Sequence, residues 1–146
     1  MDYGVAAQGR KIIMMVMIDT NIIISAVLNP SGRAAEALAK AMSKPFEPVV
    51  CSYILDELHR KFQEKFPSKI LELEAFLYHM LRAVLIVPTP KANSRDEDKI
   101  RDIKDRPIFR AAVNAAVDYI LTGDKDFLES GIKFPRIISV QDFMNL

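Results

Sequence analysis

The chain has 146 residues, 20 of them basic and 19 acidic, for a formal net charge of +1. That length fits one domain with a core of its own. With Cys51 as the single cysteine, an internal disulfide is excluded and a reducing cytoplasm is the expected setting. The balanced charge decides nothing about nucleic acid, so any attraction for phosphate must come from local patches.

Residues 1–11 are small and polar, without a core pattern, and read as an N-terminal extension, either an extended start or an artefact of expression. The apolar run over 12–18 is too short to span a membrane. It ends at Asp19-Thr20-Asn21 rather than at a small-residue cleavage site, so no signal peptide is expected. Its continuous apolar character predicts a strand buried on both faces. A short helix is expected over 20–28, stopped at Asn29-Pro30, followed by a helix over 32–42 capped by Ser31. A second strand covers 48–51, and Ser52 is expected to cap a helix over 53–66.

After Pro67-Ser68, apolar residues at 70, 73, 77, 80, 81 and 84 mark the buried face of a helix over 69–81. A third strand at 85–87 is stopped by Pro88 and Pro90, and the charged stretch 91–99 reads as a loop. A helix is expected over 105–117, with alanines at 111, 112, 115 and 116 for close packing, then a fourth strand at 119–121. One helical turn at 126–129, a fifth strand at 137–140 and a helix at 141–145 complete the chain. Alternating strands and helices predict an α/β three-layer sandwich over 12–146, a single domain around a mainly parallel five-stranded sheet with right-handed crossovers.

Open α/β sheets build their sites outside the carboxyl ends of the strands. Asp19 follows the first strand and Asp124 the fourth. Glu57, on the helix after the second strand, and Asp105, at the start of the alanine-rich helix, can face the same crevice. Each has a plainer explanation alone: a helix cap for Asp19, a solvated position beside Asp56 for Glu57, a first-turn acid for Asp105 and a turn residue for Asp124. Together they would form a carboxylate cluster, in which like charges raise each other's pKa. A hard divalent cation relieves that repulsion, and Mg2+ or Mn2+ suits an all-oxygen donor set. Such an ion can activate water and neutralise a phosphodiester.

His59 and His79 stand on separate helices with no ligand partner at zinc spacing. Cys51, among valines, reads as a small core residue, and the phenylalanines read mostly as core. Arg60 and Lys61 on the Glu57 helix, and Arg106 and Arg110 flanking Asp105, are candidate RNA-phosphate contacts, against the plainer reading of a solvated face. The stretch 53–85, with Phe62, Phe66, Leu73, Phe76, Leu77, Tyr78, Met80 and Leu81, carries more apolar and aromatic surface than one side of a small sheet must bury. That surplus predicts a homodimer or higher homo-oligomer through the helical layer.

The ordered acids resemble the PIN-domain family. The resemblance lies in Ile18-Asp19-Thr20-Asn21-Ile22, in Leu55-Asp56-Glu57-Leu58, in Asp102-Ile103-Lys104-Asp105-Arg106-Pro107-Ile108-Phe109, and in Leu121-Thr122-Gly123-Asp124-Lys125-Asp126-Phe127. It runs from about residue 12 to the end, and the last segment is the most specific. It is strongest toward bacterial and archaeal PIN proteins regarded as toxins of toxin–antitoxin pairs. The resemblance implies a PIN-like fold and a ribonuclease dependent on Mg2+ or Mn2+, with Asp19, Glu57, Asp105 and Asp124 catalytic and metal-binding. It adds Asp126 as a further metal ligand and Thr20, Asn21 and Thr122 as supporting polar residues. It also implies an RNA substrate, a protein antitoxin and no membrane role. Two alternatives stand beside it. A non-catalytic PIN module for RNA binding or assembly would be expected to lose acids. A phospho-acceptor receiver domain would show adjacent acids after its first strand and a lysine after its last, which are missing here.

Overall fold

A computed structural model describes residues 12–146; the extension expected at 1–11 lies outside the described residues. The sheet is built from β1 (Met14–Ile18), β2 (Phe46–Cys51), β3 (Leu85–Val87), β4 (Tyr119–Leu121) and β5 (Arg136–Ile138), in the order β3-β2-β1-β4-β5. All four pairings are parallel. In β1, Val16, Met17 and Ile18 are fully buried. Successive strand side chains point to opposite faces, so both faces of the central strand are covered, as its continuous apolar run predicts.

The helices are α1 (Thr20–Leu28), α2 (Arg33–Ala41), α3 (Ser52–Lys65), α4 (Ile70–Met80), α5 (Arg106–Asn114), α6 (Lys125–Leu128) and α7 (Val140–Met144). Their buried residues recur at helical spacing: Ile54, Leu58 and Phe62 on α3; Leu73, Leu77 and Met80 on α4; Ile108, Phe109, Ala111 and Ala112 on α5. Half of the residues singled out in 53–85 therefore turn inward, namely Phe62, Leu73, Leu77 and Met80. Leu71 and Tyr78 of α4 do not, at 77% and 64% exposed. Among the described residues no helix is long and apolar enough to cross a membrane.

Two expected caps are not formed. Gly32, not Ser31, is the N-cap of α2 and offers no side-chain bond, while the Ser31 hydroxyl turns back to Asn29 Oδ1. Cys51 caps α3, so Ser52 already lies within the helix and its hydroxyl pairs with that of Thr89. In both cases the serine hydroxyl has a competing partner, local for Ser31 and distant in sequence for Ser52. β2 starts two residues before the expected position, at Phe46, and its Pro48 faces Val16 of β1. The missing N–H is tolerated because β3 joins β2 only from Val49 onward. β5 begins one residue early and ends at Ile138, leaving Ser139 to cap α7 by accepting from the Asp142 N–H at 3.1 Å.

At the other end of α7, Lys40 of α2 donates to the carbonyls of Phe143, Met144 and Leu146 at 2.8–3.3 Å. Phe143 and Met144 lie in the last turn of α7, where a cation is favoured. The chain leaves β1 toward β2 and β3, then returns to place β4 on the other side of β1. The crevice between the carboxyl ends of β1 and β4 is thus the switch point of the sheet, where such folds bind ligands.

Candidate active site

Asp19 sits at the end of β1 with its backbone N–H bonded to the Leu121 carbonyl of β4, and it is 2% exposed. Its Oδ1 accepts from the Thr20 N–H at 2.7 Å, which starts α1, and its Oδ2 accepts from the Thr122 hydroxyl at 2.6 Å. Burial pushes this carboxyl up to about 6, against the opposing pull of Thr122 and Thr20, with Glu57 and Asp124 adding to the rise. Thr122, fully buried, also accepts from the Asp124 N–H at 2.9 Å. One hydroxyl therefore ties the two strand-end acids together. Asn21 accepts from the Gly123 N–H at 3.3 Å, and Thr20 Oγ1 is buried without a partner.

Glu57 faces inward from α3 at 3% exposure, while its neighbour Asp56 is exposed. Adjacent helical residues point about 100° apart, so only one of the two can face the crevice. The Tyr53 hydroxyl lies 3.5 Å from Glu57 Oε2, with Arg60 at 3.8 Å and Lys61 at 3.9 Å. Arg60 and Lys61 of α3 thus stand beside the acid, at the crevice.

Asp105 is 6% exposed, and its Oδ2 is buried with no hydrogen-bond partner. Burial drives its carboxyl up to about 9, helped by Asp19, Asp124 and Asp102. Asp124 caps α6, its Oδ1 accepting from the Asp126 N–H at 2.8 Å. Asp126 lies farther out and meets Arg101 at 3.6 Å. Carboxylate oxygens of Asp102, Asp105 and Asp124 lie within 4.8 Å of one another. Asp19 in turn feels Glu57, and Asp105 feels Asp19, so the four expected acids act on one another as a chain of charges. Every donor is an oxygen, and one buried oxygen lacks any partner. That set fits a hard divalent cation.

Arg106 and Arg110 are engaged within the fold. Arg106 Nε donates to the Ile100 carbonyl at 3.0 Å. Arg110 makes a two-pronged contact with Glu97, at 2.7 Å from Nε and 3.2 Å from Nη2. Glu97 is buried, also accepts from the Ser94 N–H at 2.8 Å, and is held below the ordinary carboxylate range first by Arg110. Sequence reasoning misses Glu97, which hides in the charged stretch 91–99, and does not use Asp102. The spacing Asp102-x-x-Asp105 on a 3-10 turn (Ile103–Asp105) was the available signal for the latter. The His59 ring bonds to the Leu55 carbonyl, His79 lines an apolar groove with Phe76 and Met80, and Cys51 is buried.

A sequence profile of the PIN domain matches residues 15–126. No curated protein sequence matches the chain. Among solved structures, a chain of VapBC2 from Rickettsia felis, bound to a DNA fragment from its promoter, superposes with a TM-score of 0.65 at 17% identity, covering 86% of this chain and 98% of that one. A chain of DNA-bound VapBC from Salmonella typhimurium gives 0.61 at 16% identity, covering 88% and 99%. Mycobacterium tuberculosis VapC20, a toxin that cleaves the sarcin–ricin loop, gives 0.57 at 14% identity, covering 81% and 96%. At such identities the likeness is one of fold, but the profile spans most of the chain, strand-end acids included, and by it this chain belongs to the PIN-domain family.

Proposed function

We propose that the chain is a metal-dependent endoribonuclease that hydrolyses phosphodiester bonds of single-stranded or structured RNA, acting as the toxin of a toxin–antitoxin pair in the cytoplasm. The observation that carries this reading is the group of buried, mutually repelling carboxylates at the switch point, one of whose oxygens has no partner. A structural core does not retain such a group without compensation. Asp19, Glu57, Asp105 and Asp124 would hold Mg2+ or Mn2+, with Asp126 at the rim. When bound, the ion neutralises charge on the phosphodiester and activates water.

The other residues prepare that seat. Thr122 and the Thr20 N–H favour the ionised form of Asp19 against its burial. Asn21 fixes the turn at Gly123 that presents Asp124. Arg60 and Lys61 place positive charge beside Glu57, where RNA phosphates would approach. The VapBC likeness supports a protein antitoxin as partner, and the VapC20 likeness supports RNA as substrate.

The purified protein should cut end-labelled RNA with Mg2+ or Mn2+ and stop in EDTA. Full activity in EDTA overturns the mechanism, and RNA binding without cleavage in either metal favours the non-catalytic module. We also propose a homodimer through the helical layer, supported by exposed Leu71 and Tyr78 on α4. Light scattering at micromolar concentration should give twice the chain mass of 16.5 kDa. A monomer at high concentration removes the dimer and leaves the nuclease reading intact.

A further inference from the structure

We propose that Asp102 is a ligand for the divalent cation, completing with Asp105 and Asp124 a three-carboxylate seat on the α5–α6 side of the crevice. The inference rests on the metal-dependent reading above and adds a residue to it. Three observations lead there. First, one oxygen from each of the three side chains lies within 4.8 Å of the others. Oxygens that share a hard cation at about 2–2.6 Å each fall within such a spacing.

Second, Asp105 Oδ2 is buried in this group without a hydrogen-bond partner. An unmet buried acceptor is costly. Neither neighbouring carboxylate can satisfy it while all three are ionised, because an ionised carboxylate only accepts. A cation meets all three at once.

Third, Asp102 is held in place. Its Oδ1 accepts from the Lys104 N–H at 3.0 Å, which orients the carboxylate and leaves the other oxygen to the group. The segment that carries it is anchored on α5 twice, through Arg106 on the Ile100 carbonyl and through Arg110 on buried Glu97. Glu97 and Arg110 thereby serve as positioning residues for Asp102.

The test measures Mn2+ binding to the full chain by calorimetric titration, with metal-free melting as the check on folding. Asp102→Asn keeps an acceptor for the Lys104 N–H and removes the charge. Its metal-free melting temperature should stay within about 2 °C of wild type, because asparagine caps as well as aspartate. Its Mn2+ dissociation constant should rise about ten-fold or more, as losses at metal sites do. Asp102→Ser keeps the cap with no carbonyl ligand and should weaken binding at least as much, which covers the case in which the asparagine variant folds poorly.

Asp98→Asn, an exposed acid on the same segment, makes the same change in net charge and should leave the constant unchanged. Wild-type affinity in both Asp102 variants overturns the assignment. So does an equal loss in Asp98→Asn, which would show only long-range charge. If the wild-type protein neither binds Mn2+ nor needs metal to cleave, the underlying reading fails and this one with it. Metal-dependent cleavage with unaltered binding in the Asp102 variants overturns the Asp102 role alone.

Discussion

Asp19→Asn should lower kcat/KM for RNA cleavage by at least about 100-fold while the protein stays folded. Asp19 is the acid at the end of the central strand, and both its oxygens are fixed by short hydrogen bonds from Thr20 and Thr122. Asparagine can still accept from the Thr20 N–H, and the Thr122 hydroxyl can rotate to meet the amide. The cap and the strand junction therefore survive. What disappears is one negative charge, at 2% exposure, from the group proposed to hold the metal. Metal-free melting of the variant should match or exceed wild type, because repulsion from Glu57 and Asp124 is relieved. Mn2+ should raise the melting temperature of wild type and fail to raise that of the variant. Retained cleavage would remove Asp19 from the site, and a large loss of metal-free stability would make it a structural residue.

The metal-free protein should lose stability as pH rises from 5 to 9, the reverse of a protein held by ion pairs. Asp105 is pushed up to about 9 and Asp19 to about 6, from the ordinary 3.8. A carboxyl raised in the folded state binds its proton more tightly there than in the unfolded chain. Its contribution is complete below the unfolded value and is lost as pH climbs through the folded one. For Asp19 that loss is over near neutrality, and for Asp105 it continues to about pH 9. Glu97 is shifted the opposite way, and its contribution is lost only at acid pH, below this window.

Asp105→Asn, which cannot ionise, should lie nearest wild type at the acid end of this range, and the gap should widen as pH rises. At pH 9 in EDTA it should melt at least about 5 °C higher, given about 2–4 °C per kcal/mol for a chain of this size. Differential scanning calorimetry across that range checks both slopes. Equal slopes for the two proteins would show that the Asp105 carboxyl is not strained.

The strand-end acids were legible because their signal is local. A short apolar run that stops at Asp19, and another that stops at Thr122-Gly123-Asp124, place an acid at a carboxyl end whatever the rest of the chain does. Glu57 was preferred over Asp56 because Leu55 and Leu58 bracket it and the PIN pattern selects it, and Glu57 is buried where Asp56 is exposed. Glu97 was not. It lies within Ser94-Arg95-Asp96-Glu97-Asp98-Lys99, where every neighbour suggests solvent, and its partner Arg110 comes from α5. Only tertiary packing separates the buried acid from the exposed ones beside it. The serine caps failed for the same kind of reason: propensity names a hydroxyl able to cap, and Thr89, 37 residues from Ser52, competes for one of them. The inward face of Leu73, Leu77 and Met80 was legible from helical spacing, while the half-burial of Phe66 and Phe76 depends on how α3 and α4 pack.

The partnerless Asp105 oxygen also bears on how such a chain evolves. Most substitutions destabilise, and proteins drift just above the threshold that selection enforces. Here a change from aspartate to asparagine is expected to go the other way and to make the metal-free protein sturdier. Drift without selection on the crevice should therefore discard this acid early. A lineage that ceased to need the chemistry would betray it first at position 105, well before its core or its strand order changed.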